Sequence, residues 1–102
     1  MRSVLVVLTA PVPGREDEYH EWYDRVHLAD VLDVPGVVSA ARFAPAAGSD
    51  EPRFLALYEV EGDPTLVVSE LQRRWGTPAM GMSGALDMGS VSMTAWVERP
   101  AG

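Results

Sequence analysis

Apolar positions fall in short blocks along this chain, and the spacing inside each block points to an element. Val4-Leu5-Val6-Val7-Leu8 is a continuous, mostly β-branched run closed by Ala10-Pro11-Val12-Pro13-Gly14, which predicts a strand apolar on both faces. Glu16, Asp17 and Glu18 then place acids in a helix's first turn, where the dipole favours negative charge. Tyr19, Trp22, Tyr23 and Val26 follow at i, i+3, i+4 and i+7, the spacing of one buried helical face. Asp33 and Pro35 end this helix, with room for a break near His27. Val37 to Phe43 reads as a second strand and Arg53 to Val60 as a third, joined by a polar loop from Pro45 to Pro52. Asp63 is an N-cap followed by Pro64 at the first helical position, opening a helix that runs to Arg74. Trp75 to Met88, rich in glycine and methionine, is expected to be an irregular flap. From Ser90 to Glu98, Val91, Met93, Ala95 and Val97 alternate with polar positions and Trp96, the pattern of a last strand.

The order β-α-β-β-α-β predicts a single α+β domain over residues 1–102, a ferredoxin-like fold on a four-stranded antiparallel sheet. Its central strands would be the first and third, which are the most apolar. Both helices then cover one face, and no element remains for the other, which also carries apolar side chains. A large apolar face in water predicts a second copy packed sheet to sheet, hence a homodimer.

Composition removes several function classes. The net charge of −7 and the lack of a basic cluster argue against nucleic acid and anionic membrane surfaces. All eight basic residues are arginine, which together with abundant Ala, Gly, Val and Pro suggests a GC-rich genome. Without cysteine there is no disulfide, thiolate nucleophile or sulfur-ligated metal. The run Val4 to Leu8 is too short for a leader's apolar core or a membrane span, so a cytoplasmic protein is expected.

The candidate chemistry lies between Tyr19 and Gly36. His27 titrates near neutrality when unperturbed and can both take and give a proton. A cavity between helix and sheet walled by Trp22, Tyr23, Tyr58 and Trp96 would suit a flat, hydrophobic, phenolic or enolisable ligand. There His27 would act as base, with Tyr23 or Tyr58 hydrogen-bonding a developing enolate and Arg42 neutralising an oxyanion or carboxylate. The plainer reading of His27 is a cation capping a helix C-terminus. His20, Asp24 and His27 fall at i, i+4 and i+7, but His20 and Asp24 belong to the solvent side, so no metal site is assigned. Haem would need an axial ligand, for which only His27 is marked. Met80, Met82, Met88 and Met93 could form an adaptable lid, although core packing and loop filling explain them as well.

The pattern Trp22-Tyr23-x-x-x-His27-Leu28-x-x-Val31-Leu32-x-Val34-Pro35-Gly36-Val37, followed by Ala41-Arg42-Phe43, resembles the small dimeric α/β-barrel proteins. Among these it is most similar to the EthD-like group, near the antibiotic-biosynthesis monooxygenases. The motif covers residues 19–43, and the predicted element order agrees over the rest. Proteins of this kind include cofactor-free monooxygenases, polyketide cyclases, decarboxylases, isomerases, haem-binding enzymes and members without known activity, so the fold does not decide the chemistry. The resemblance implies a cofactor-independent enzyme acting on an aromatic or polyketide-like metabolite, as cyclase, isomerase, decarboxylase or internal monooxygenase. The alternative is a non-catalytic carrier or sensor of a small hydrophobic ligand.

Overall fold

The structure, a computed structural model, describes residues 2–101. Its elements run β1 (Ser3–Pro11), α1 (Glu16–Trp22), a π-helical segment (Tyr23–His27), α2 (Leu28–Leu32), β2 (Val37–Phe43), β3 (Phe54–Val60), α3 (Pro64–Arg74) and β4 (Leu86–Val97). The four strands form one sheet in the order β2-β3-β1-β4, each neighbouring pair antiparallel. This is the expected ferredoxin-like α+β arrangement, with β1 and β3 central.

Strand alternation sorts the sheet into two faces. Leu5, Val7 and Thr9 of β1 and Ala56, Tyr58 and Val60 of β3 are buried against the helices. Tyr19, Tyr23, Val31, Val67 and Leu71 meet them from the helical side, and together they form the core. Helix α3 starts as its sequence requires: the Asp63 carboxylate accepts from the Thr65 backbone N–H at 2.9 Å, and Pro64 takes a position where no N–H is needed. The turn into β2 depends on Gly36. Its φ is +99°, and a Cβ there would lie 3.0 Å from Val67 and 3.2 Å from the Glu61 carbonyl.

Two boundaries differ from expectation. Strand β4 begins at Leu86, inside the stretch expected to be flap, because β1 runs on to Pro11 and pairs Ala10 with Asp87 and Pro11 with Leu86 after a register shift. The first helical region is not a straight α-helix. The Leu28 N–H bonds to the Tyr23 carbonyl, five residues back, and the extra residue this accommodates moves the buried face on by one position. Val26, expected in the core, is 44% exposed, and His27 takes the buried place.

Among the described residues, no helix is long and apolar enough to cross a membrane.

Candidate functional site

His27 is positioned by the π segment. Tyr19, Tyr23, His27 and Val31, all buried, stand at successive i+4 steps. Three such steps drift by about 120° around a straight α-helix. The wider π turn takes up much of that drift, so these residues stay on the sheet-facing side. His27 is 6% exposed, stacked on Trp22 with ring centroids 4.6 Å apart, and edge-on to Tyr23 at 5.0 Å.

The imidazole opens onto a cavity of about 20 Å³ between helices and sheet. Val7 and Tyr58 form its floor, Val31 and Leu71 its helical walls, and Val91 and Met93 of β4 its far side. Trp75, just after α3, and Met80 in the following loop close it. The lining is almost wholly apolar, and two of its residues carry a buried polar atom without a hydrogen-bond partner, His27 Nδ1 and the Tyr58 hydroxyl. Groups of this kind are costly to leave unpaired and mark places where a ligand or water is accommodated.

Burial, and secondarily the positive charge of Arg42, lowers the His27 pKa from 6.5 to about 4. The imidazole is therefore neutral at physiological pH, with one ring nitrogen a donor and the other an acceptor. Burial likewise raises the phenol pKa of Tyr58 and of Tyr23, so both hydroxyls remain protonated donors. Arg42, whose side chain is 14% exposed, lies under the first helix with its guanidinium carbon 4.2 Å from the Tyr23 ring centroid. Its Nη1 donates to Asp24 at 2.9 Å, while Nε and Nη2 are buried with no hydrogen-bond partner. Tyr19 and Phe54 also face this cation, at 5.5 and 5.8 Å.

The expected residues thus separate into three groups. His27 and Tyr58 line the cavity. Trp22, Tyr23 and Arg42 form a layer behind it, Trp22 against the imidazole and Arg42 against Tyr23. Trp96 is not a cavity wall. It pairs with Val4, not with Leu5 or Val7, so it projects from the opposite face of the sheet and is 58% exposed. The alternation in β4 carried that information, since Trp96 has the parity opposite to Val91 and Met93. Of the four methionines marked as a candidate lid, Met80 and Met93 line the cavity, whereas Trp75 closes it without a comparable signal because its place depends on how an irregular segment folds back. His20 packs edge-on to Phe54 at 4.5 Å, and Asp24 is engaged by Arg42, so neither joins His27. Among the described residues no three His, Asp or Glu side chains gather as a metal site would require.

No family model matches the chain, and no curated protein matches its sequence. Solved structures do match its shape. A point mutant of MhuD, with two manganese protoporphyrin IX molecules bound per active site, is 15% identical and superposes with a TM-score of 0.64 over 98% of both chains. An EthD family protein from Bacillus halodurans is 15% identical with a TM-score of 0.66, over 97% of this chain and all of that one. HapK from Hahella chejuensis is 14% identical with a TM-score of 0.54, over 100% and 96% of the two chains. The fold is shared with these proteins end to end, in agreement with the EthD-like resemblance of the 19–43 motif.

Proposed function

We propose that the cleft between the first helical region and the sheet binds a small, hydrophobic, aromatic metabolite, and that His27 moves a proton on it. The observation that carries this reading is a neutral imidazole, buried in an otherwise apolar cavity, with an unpartnered nitrogen. In the proposed reaction His27 takes a proton from an acidic carbon or phenol while Tyr58 donates to the oxygen that becomes anionic. Protonating His27 alone is unfavourable, because burial and Arg42 both oppose a second positive charge there. The transfer therefore favours substrates whose anion forms beside the imidazolium and pairs with it. Cyclisation and isomerisation fit such a step, as does an oxygenation that begins with substrate deprotonation, and decarboxylation fits its reverse, in which CO2 leaves and a proton is given to the carbon.

The depressed pKa of His27 equally supports a second reading, a carrier in which the neutral imidazole only hydrogen-bonds the ligand. The porphyrin held by the MhuD mutant does not carry over to this chain. The space beside His27 holds about one water molecule, so a single aromatic ring already requires the site to widen and a macrocycle would require far more.

A homodimer belongs to the same proposal. Val4, Val6, Leu8, Leu55 and Leu57 share the uncovered sheet face with the exposed Trp96 and Phe43, a contiguous apolar surface that a second copy would cover.

The test is to incubate wild-type and His27→Gln protein with a metabolite extract and identify bound and released compounds by mass spectrometry. A compound held by both and altered only by the wild type establishes proton-transfer catalysis through His27. A compound held unchanged by both establishes the carrier, and no retained aromatic compound removes the ligand site.

A further inference from the structure

The cavity beside His27 has room for about one water molecule, and Met80 is among the side chains that fill the space around it. Met80 is wholly buried and lines the cavity, yet it comes from an exposed loop: Gly76, Thr77, Pro78, Ala79 and Gly81 around it all face solvent. The loop is built as a small unit of its own. Gly76 N–H donates to the Met80 carbonyl at 3.0 Å, Met80 N–H donates to the Thr77 carbonyl at 2.9 Å, and Gly76 turns the chain with a φ of +76°.

Among the described residues, Ser83 accepts from the Ala85 and Leu86 backbone N–H groups in the turn that enters β4, and the other hydrogen bonds that tie the stretch 78–84 to the body of the domain come from two side chains. Trp22 Nε1 donates to the Gly81 carbonyl at 3.1 Å, and Arg15 Nη1 donates to the Gly84 carbonyl at 2.9 Å. Both bonds lie at the surface, where water can replace them at little cost. The first joins the loop to the indole that stacks on His27. Methionine is the side chain best suited to leave and refill an irregular apolar space, being unbranched and polarizable.

We propose that Met80 is a removable plug: an aromatic ligand binds by taking the volume of the Met80 side chain while the loop from Gly76 to Gly84 swings outward, so Met80 sets the size of ligand admitted. This rests on the aromatic-ligand reading of the His27 cavity. Trp22 is the latch, and its bond to Gly81 breaks when the loop opens. With the plug out, the ligand lies against His27 and Tyr58, and Met80 packs over it or into solvent.

The experiment uses wild-type protein labelled with ¹³C at the methionine methyls, with 2-naphthol as the probe and a soluble nitroxide as the reporter of exposure. Met80→Leu assigns the Met80 signal. The expected result is a Met80 methyl protected in the free protein and broadened by nitroxide once naphthol is bound. Met80→Ala should bind naphthol about tenfold more tightly, the factor for a site open about a tenth of the time. Naphthol that binds and shifts the His27 ring signals while Met80 stays protected overturns the plug and leaves the aromatic site standing. Binding by Met80→Ala with none by wild type makes Met80 permanent core filler and also overturns it. No binding by either protein removes the aromatic site together with its plug. Should Met80→Ala fail to fold, the wild-type methyl signal decides alone.

Discussion

Trp22 and His27 stand five residues apart and stack nearly parallel, 4.6 Å between ring centroids with 25° between planes. In a straight α-helix, residues so spaced point about 140° apart and cannot meet. The π turn from Tyr23 to His27 brings the two rings onto one side, and the same distortion buries the imidazole. π turns are rare and recur at functional sites, where they re-aim a side chain at the cost of local helix geometry.

Removing the indole tests that relationship. Trp22→Ala opens one face of the imidazole to water and deletes the donor to Gly81. The His27 pKa should then rise from about 4 toward 6.5, followed by the NMR titration of its ring protons. The lost stack should cost about 1 kcal/mol, with further loss from packing, read by urea unfolding.

Stability should depend on acid in a window that His27 defines. Its folded pKa lies below its ordinary 6.5, so below that pH the unfolded chain binds a proton that the folded chain refuses. The stabilisation is complete above pH 6.5 and is lost as pH falls toward 4, by an amount on the order of 3 kcal/mol. His27→Gln should be nearly flat over most of that window. Glu70, held at about 2 by Arg73 and Arg74, loses its contribution only at lower pH, so the two effects separate in a stability profile.

Tyr58→Phe removes a buried hydroxyl that lies beside the Tyr23 hydroxyl without good hydrogen-bond geometry. Stability should stay level or rise by up to about 1 kcal/mol, since an unsatisfied polar group leaves the core. Affinity for a phenolic or enolic ligand should fall severalfold, measured by titration of tryptophan fluorescence. A stability loss beyond about 2 kcal/mol would mean that the hydroxyl was bonded after all.

The uncovered sheet face predicts the oligomeric state. Wild-type protein should scatter light as a dimer at micromolar concentration. Trp96→Asp places a charge on the β4 edge of that face and should give a monomer with unchanged circular dichroism. A monomeric wild type would leave the apolar face without the partner proposed for it.

Much of the architecture could be read along the chain because its signals are local. The β-branched run at Val4–Leu8, the Asp63-Pro64 start of α3 and the alternation from Val91 to Val97 each describe the backbone they form. The site was less legible. His27 could be singled out by its chemistry and by its place one turn after Tyr23, but helical periodicity buried Val26 as well, and the π turn leaves Val26 exposed. The aromatic side chain of Trp96 suggests a cavity wall, although its parity places it on the other face.

The sequence by itself determined the element order, the central strands and that both helices cover a single face of the sheet, since period and capping act between near neighbours. Tertiary structure decided which side chains share the cavity. Met80 and Trp75 reach His27 from the far end of α3, and Tyr58 reaches it from β3. Those contacts arise when separate elements are packed to exclude water, and they depend on one extra residue in a helical turn, which no pattern of apolar spacing encodes.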